Sequence, residues 1–542
     1  MSGAQSSDPA QPGNSSNIVA LFDTQTAAQP DAAALLDGRQ YPQQPIKTHS
    51  FADLQRLSLA WADTLAQSGI GPGDRVLVAL RVSPALYGLL LALWRLGAVA
   101  ILPDPSAPRS QLDDTCQRLQ PSAFVGIPAA HLLRLGYASV RRIPRHFSVD
   151  AWLPWTTRLG GNPTEAPPRD AWKAPADSPA LITFTSGSTG RPKAACRSHG
   201  FLRAQYQAIL GTLHLQPGDV DATTLPVFVL ANLAAGVSTL LPPGDIARPG
   251  AIEPVPVLQA MQACGVTRAS GSPAFFRQLC QGLNEMASPQ LQHLHTGGAP
   301  VTPEMMLDYA QLVASGRSVT AVYGSTEAEP IAELPATELN ETALAGPEAG
   351  YGLPAGRPLA AVRLRILAVT ETPPPFRLTA AELEERCIGP GEIGEITVAG
   401  AHVLGGYLDG EGDEQTKLDV EGVRWHRTGD AGYLDAEGRL WLVGRVSAAV
   451  TLGGRCLYPF QLEYPLRAQP GVAAAAVLTH QGQACLVIEP KPGCQPDVEQ
   501  LVSALPVGIP AQSIRLVKQI PLDRRHNAKI DYGALQALLS RP

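Results

Sequence analysis

The chain has 542 residues, 45% hydrophobic and 17% charged, with a formal net charge of −6. That length exceeds what one hydrophobic core organises, so at least two domains are expected, and the slight acidity offers no basic field for holding nucleic acid. Eight cysteines (Cys116, Cys196, Cys264, Cys280, Cys387, Cys456, Cys485 and Cys494) form no C-x-x-C pair and no zinc-like spacing with histidine, which reads as buried apolar fillers in a reducing, cytoplasmic compartment.

Residues 1–17 are rich in Ser, Gly, Pro and Gln and lack the basic start and apolar segment of a signal peptide, so they read as a disordered tail. Ser50 with Asp53 makes a capping box, Leu54, Leu57, Trp61 and Leu65 share one helical face, and Gly69 stands where a C-terminal cap belongs. A strand over 75–80, a buried helix to Leu96 and a strand over 98–102 follow. The apolar run 86–102 is not a membrane span, because Arg95 interrupts it, Gly97 breaks the helix, and a span needs about 20 uninterrupted apolar residues. Strand, helix, strand in that order calls for parallel pairing and a right-handed crossover.

The rhythm recurs with strands over 181–185, 220–225, 266–270, 294–297 and 319–323, predicting an α/β protein whose parallel sheets are flanked by helices. After about Pro354 the strands shorten and the turns become Gly-rich, as at 394–399 and 440–443. A β-rich subdomain is expected there, closing a large domain, 18–445, near Gly444. Residues 446–542 hold two apolar strands (473–478 and 484–489), a helix near 498–505 and a final helix, enough for a small α+β domain.

Thr185, Ser186, Gly187, Ser188, Thr189, Gly190, Arg191, Pro192 and Lys193 follow a predicted buried strand and concentrate glycines, hydroxyls and a lysine. Such a loop can bring backbone N–H groups and hydroxyls around a polyphosphate while Lys193 supplies a point charge. It is not a Walker A loop, since no G-x-x-x-x-G-K-[ST] occurs and no helix opens directly behind it; the bland alternative is a surface turn. Four further strings stand out: Gly297-Gly298-Ala299-Pro300; Tyr323-Gly324-Ser325-Thr326-Glu327; Arg427-Thr428-Gly429-Asp430 with Gly444-Arg445 downstream; and Pro521 to Lys529 (PLDRRHNAK). Taken singly, Asp430 could be a turn residue, Glu327 a solvated carboxylate and the last string a solvated basic run.

Together and in this order, these strings resemble the adenylate-forming superfamily of acyl-CoA synthetases, firefly luciferase and peptide-synthetase adenylation domains, from about Phe51 to Leu535. The resemblance implies AMP-forming activation of a small-molecule carboxylic acid with ATP and Mg2+. It assigns the loop from Thr185 to Gly190 and Lys193 to the phosphates, Tyr323 to one adenine face with Gly324, Ser325 and Thr326 beside it, and Gly298, Ala299 and Pro300 to the other face. Asp430 falls to the ribose hydroxyls, Arg445 to ribose or phosphate, and Glu327 to the metal. Lys529 would bridge the substrate carboxylate and the α-phosphate, so Lys529, Glu327, Lys193 and Arg445 form the implied catalytic set. Phe228 and Gly297 would line the acyl pocket, core packing being the equal alternative for Phe228.

Two positions depart from the family's pattern: Ser447 where an aspartate is usual, and Ala528 where a glycine is usual. Arg-His-Asn-Ala-Lys at 525–529, the non-acidic residue 447 and Leu-Pro-Val-Phe at 225–228 are similar to the β-lactone synthetases of bacterial olefin biosynthesis. That similarity implies a fatty or β-hydroxy fatty acid and a condensing-enzyme partner. CoA or a separate carrier protein as acyl acceptor stays open, as does, outside catalysis, an inactive nucleotide-binding module.

Overall fold

The computed structural model describes residues 16–104, 109–160, 169–185, 193–505, 513–522 and 530–540. A seven-stranded sheet runs in the order Thr157–Leu159, Arg145–Val149, Ala123–Gly126, Arg75–Ala79, Val99–Leu102, Pro179–Thr185, Lys193–Ser198. All its pairs are parallel except the last, in which Thr185 faces Lys193 across an antiparallel ladder. The capping box at Ser50 and Asp53 starts the helix Phe51–Gln67, which buries Leu54, Trp61 and Leu65. The helix Pro84–Arg95 is buried almost throughout, and its Arg95 is compensated by Asp23 at 2.7 Å. Among the described residues no helix is long and apolar enough to cross a membrane.

A second, larger sheet has a parallel centre built from Ala33–Asp37, Ser238–Leu241, Val220–Thr223, Arg268–Gly271, His293–Gly297 and Val319–Ser325. From there it continues antiparallel through Ala328–Pro335 and Leu353–Pro358 to Leu440–Arg445, Val423–Leu434 and Gly394–Ala399. The α/β architecture with a β-rich extension is thus what the alternating sequence predicts. Separate apolar clusters formed by residues 450–514 and 474–539 pack the strands Val472–His480 and Gln483–Pro490 with the helices after them.

Three expectations need correction. Asn17, placed in the tail, is fully buried, and its Nδ2 donates to the carbonyls of Trp94 (2.8 Å) and Trp172 (2.9 Å). Its short amide satisfies two buried helix-end and loop carbonyls, a tertiary role that composition does not reveal. Cysteines are not uniformly interior: Cys116 and Cys485 are buried, whereas Cys456 and Cys494 are exposed. The strand expected from Val266 begins at Arg268, because the Val266 amide still caps the preceding helix through the Met261 carbonyl at 2.9 Å.

Asp221 ties the helix Pro226–Ala235 to the sheet: it is fully buried and accepts from Asn232 Nδ2 at 2.8 Å and Ser270 Oγ at 3.3 Å. Burial, only partly opposed by Arg268, pushes its carboxyl up to about 6. A carboxyl raised above its unfolded value of roughly 3.9 stabilises the fold fully below that value and loses the contribution as pH rises toward 6. The Asp221→Asn variant should therefore gain stability relative to the parent between pH 4 and 7, by on the order of 2–3 kcal/mol. Urea midpoints of both proteins across that range test this; a pH-independent difference contradicts it.

Candidate active site

The strand Pro179–Thr185 leads into residues 186–192, and Lys193 opens the returning strand. Ser186, Gly187, Ser188, Thr189 and Gly190 lie outside the described residues, as does Lys529. Lys193 itself is 5% exposed, with Nζ 5.2 Å from the centre of the Tyr407 ring. A cation this desolvated needs a partner, and the aromatic face supplies one. Gly412 closes its other side: with φ at +90°, a Cβ there would stand 2.7 Å from Lys193 Nζ.

Tyr407 links this lysine to Glu327, its hydroxyl donating to Oε1 at 2.8 Å. The segment 403–407 is held by single β-bridges, Ala328 to Val403 and Ala195 to Tyr407, and the Leu404 amide donates to the Glu327 carbonyl at 2.7 Å. Lys417, fully buried, donates to the Leu404 carbonyl at 2.5 Å and lies 3.2 Å from His426 Nδ1, with its Nζ 5.2 Å from the same tyrosine ring. Burial, with Lys417 beside it, holds His426 below its ordinary range, and burial pushes Lys417 down to about 8, so at neutral pH the lysine stays largely protonated. Burial opposes ionisation of Glu327 as well, but the proton that shares the site at His426, the Tyr407 hydroxyl and the Lys417 ammonium overcome it and hold the carboxyl below its ordinary range. A hard cation such as magnesium takes one or two carboxylates plus phosphate and water oxygens, so an ionised Glu327 suits it. Among the described residues no cluster of three or more acidic, His or Cys groups offers an all-protein cage.

The other strings meet on one chain of hydrogen bonds. Tyr323, on Val319–Ser325, donates its hydroxyl to Asp430 Oδ2 at 2.7 Å, and Arg445 Nε sits 3.1 Å from Oδ1. Asp430 and Arg445 face each other across the ladder between Val423–Leu434 and Leu440–Arg445. Arg445 Nη1 also donates to the Thr428 carbonyl at 2.8 Å, and Arg427 pairs with Glu395 at 2.6 Å, fixing the turn. Gly297 cannot carry a side chain, since its Cβ would press on the Val322 carbonyl at 2.5 Å, whereas Gly298, at φ +78°, faces open space. Ala299 and Pro300 follow it, half-buried. Ser325 Oγ accepts from the Glu327 amide at 3.3 Å, Gly324 lies against the backbone of 328–329, and the Thr326 carbonyl accepts from Arg197 at 2.9 Å. Phe228 is buried in a cluster with Ile209, Leu213, Leu215 and Ala231.

Tyr407, Lys417, His426, Arg197 and Glu329 were not singled out by sequence reasoning. An aromatic directly after Gly405-Gly406 was the available signal for Tyr407; the others carry none beyond being ionisable. Arg197 is 8% exposed and bonded to Thr183 Oγ1 at 2.7 Å, and burial pushes Glu329 up to about 7.

The strand that opens with Lys193, the chain from Tyr323 through Asp430 to Arg445, and the ionised Glu327 are what the described residues of these strings assemble. The family described as AMP-binding enzyme matches residues 22–408, and the chain belongs to it. The chain is 34% identical over 508 residues to the olefin beta-lactone synthetase of Stenotrophomonas maltophilia (strain K279a), covering 89% of this chain and 90% of that one. It is 33% identical over 518 residues to the protein of the same name from Xanthomonas campestris pv. campestris, covering 89% of each. Among solved structures, ATP-bound MatB from Rhodopseudomonas palustris superposes with a TM-score of 0.77 at 21% identity, over 97% of this chain and 99% of that one. The protein is accordingly an AMP-forming enzyme that activates a carboxylic acid.

Gly412→Ala tests the seat of Lys193. It should cost more than Gly422→Ala, since Gly422 has a similar φ of +85° but no neighbour within 4 Å. Left-handed strain of about 1–2 kcal/mol is common to both, and the clash with Lys193 adds to the first alone. Equal shifts in thermal midpoint would mean that Lys193 is not held there.

Proposed function

We propose that this enzyme adenylates a fatty acid, specifically a β-hydroxy fatty acid, and that the acyl-adenylate closes on its own β-hydroxyl to a β-lactone. The carrying observation is the convergence of Tyr323, Asp430 and Arg445 on one hydrogen-bonded chain, beside the Glu327–Tyr407–Lys193 group. The similarity to two olefin beta-lactone synthetases supports the choice of acid and of second step.

In this reading the loop from Thr185 through Gly190, with Lys193, takes the triphosphate of ATP, a use of backbone and ammonium donors that suits a polyanion. Tyr323 and the segment 297–300, with Gly324, Ser325 and Thr326, enclose adenine. Asp430 takes the ribose diol, because a carboxylate can accept from both hydroxyls, and Arg445 steadies it. Glu327 would hold magnesium, which supplies charge neutralisation at the phosphates. A substrate carboxylate oxygen attacks the α-phosphorus and pyrophosphate departs. Lys529, carried by a small domain that we place after Arg445, stabilises the charge that develops there. In the second step the β-oxygen bonds to the acyl carbon, the bond from that carbon to the AMP oxygen breaks, and the hydroxyl proton is released.

ATP–pyrophosphate exchange with a panel of acids tests the first step, and mass spectrometry of the products with and without CoA tests the second. Fatty acids should support exchange, and β-hydroxy acids should yield lactone and AMP with no need for CoA. Exchange confined to amino or aryl acids overturns the substrate, and acyl-CoA as the sole product overturns the closure. Lys529→Ala should lower exchange by roughly a hundredfold or more; an unchanged rate removes that lysine from the mechanism.

A further inference from the structure

Glu329 stands two residues beyond Glu327 on the strand Ala328–Pro335, across the hairpin from Gly324. A Cβ at Gly324 would lie 3.4 Å from the Cβ of Glu329, so the side chain starts at the centre of the Tyr323–Glu327 string. Protein crowds it, leaving part of its surface exposed, and among the described residues its carboxylate makes no hydrogen bond or ion pair. A carboxylate crowded by protein without a partner is costly.

Arg197 backs it without contact. Its Nη1 and Nη2 are spent on Thr183 Oγ1 (2.7 Å) and the Thr326 carbonyl (2.9 Å), and its buried Nε has no partner among the described residues. On the other side Gln205, from the helix His199–Leu213, reaches the Glu329 carbonyl at 3.5 Å. The same Gln205 lines an apolar cavity with Tyr206, Ile209, Val227 and Leu230. The backbone of Glu329 is thus tied on one side to the segment that carries Glu327 and on the other to a residue lining an apolar recess, which on the fatty-acid reading is the stretch that the first carbons of the acyl chain would cross. A polar group at that point suits a donor on the substrate close to its carboxyl end. A substrate ammonium is disfavoured, since the fixed guanidinium of Arg197 cancels the field that would attract it. A neutral hydroxyl fits.

We propose that Glu329, backed by Arg197, receives a hydrogen bond from a hydroxyl near the carboxyl end of the acyl group and so selects hydroxylated over unsubstituted acids. This rests on the reading of the acid as a fatty acid. The site is specific because a group built to meet a hydroxyl is left unpaired by the analogue that lacks one.

The probes are non-hydrolysable sulfamoyl-adenosine mimics of the acyl-adenylate carrying dodecanoyl, β-hydroxydodecanoyl or β-aminododecanoyl chains, titrated calorimetrically into the whole protein. The parent should bind the hydroxylated mimic roughly tenfold to a hundredfold more tightly than the unsubstituted one. That ratio should fall to about one in Glu329→Leu and severalfold in Glu329→Gln, which preserves shape if the leucine variant fails to fold. A ratio at or below one in the parent, a ratio unchanged in the glutamine variant, or tighter binding of the amino mimic overturns the inference. If the parent binds none of the mimics and exchanges pyrophosphate with no fatty acid, the fatty-acid reading falls with it. Fatty-acid exchange with a parent ratio at or below one sinks the role of Glu329 alone.

Discussion

A carboxylate and two ammonium groups do not leave water singly, because each would forfeit its hydration without return. Glu327, Lys193 and Lys417 leave it around one tyrosine. Tyr407 gives its hydroxyl to the carboxylate, while both ammonium groups lie 5.2 Å from its ring centre. The rest of the site hangs on this arrangement. The segment 403–407 must be bridged to the strands on either side for Tyr407 to reach, which the pairings at Ala195 and Ala328 accomplish. Lys417 must hold the Leu404 carbonyl for that segment to keep its course. The β-rich extension is thus joined to the parallel sheets by compensated charge as well as by apolar packing.

The same economy governs the group proposed to take the nucleoside. Both oxygens of Asp430 are engaged, one by Tyr323 and one by Arg445, so a carboxylate that is to take a diol must exchange partners rather than acquire them. Exchange is cheap when the displaced donors stay hydrated or find the ligand, and Arg445, whose side chain is 58% exposed, meets that condition. Half-buried Tyr323 does not, since its ring would have to keep its hydroxyl bonded while offering its face. If Asp430 takes the diol as proposed, the geometry favours retention of the Tyr323 bond and release of the arginine.

Much of this was legible in the residues. The helix begun by Ser50 and Asp53 and the strands at 294–297, 319–323 and 394–399 follow from local capping and periodicity. The strings around Tyr323, Asp430 and Arg445 were legible because each is contiguous. What escaped is what only folding assembles. Lys417 and His426 are nine residues apart and meet because they face each other across the ladder between Lys417–Val420 and Val423–Leu434. Arg197 and Glu329 come from different sheets. Asn17 is polar and lies beside a Ser- and Pro-rich stretch, so composition placed it in solvent, whereas two backbone carbonyls from distant segments draw it into the interior.

Ser447 acquires meaning from its surroundings. Gly444 turns at φ +135° against Pro459, whose Cδ would meet a Cβ there at 2.8 Å. Tyr458 is 5% exposed and packs with Ala431 and Val443. The start of the helix Pro459–Arg467 is therefore docked on the strands that carry Asp430 and Arg445. Swinging the later residues away would strip this apolar contact, and at position 447 a serine brings no charge to compensate the loss. An enzyme that must admit a separate acceptor after adenylation has reason to bear such a cost. One whose acyl group carries its own nucleophile completes both bond changes in a single pocket, and for it a docked hinge without an acidic residue is the less demanding arrangement.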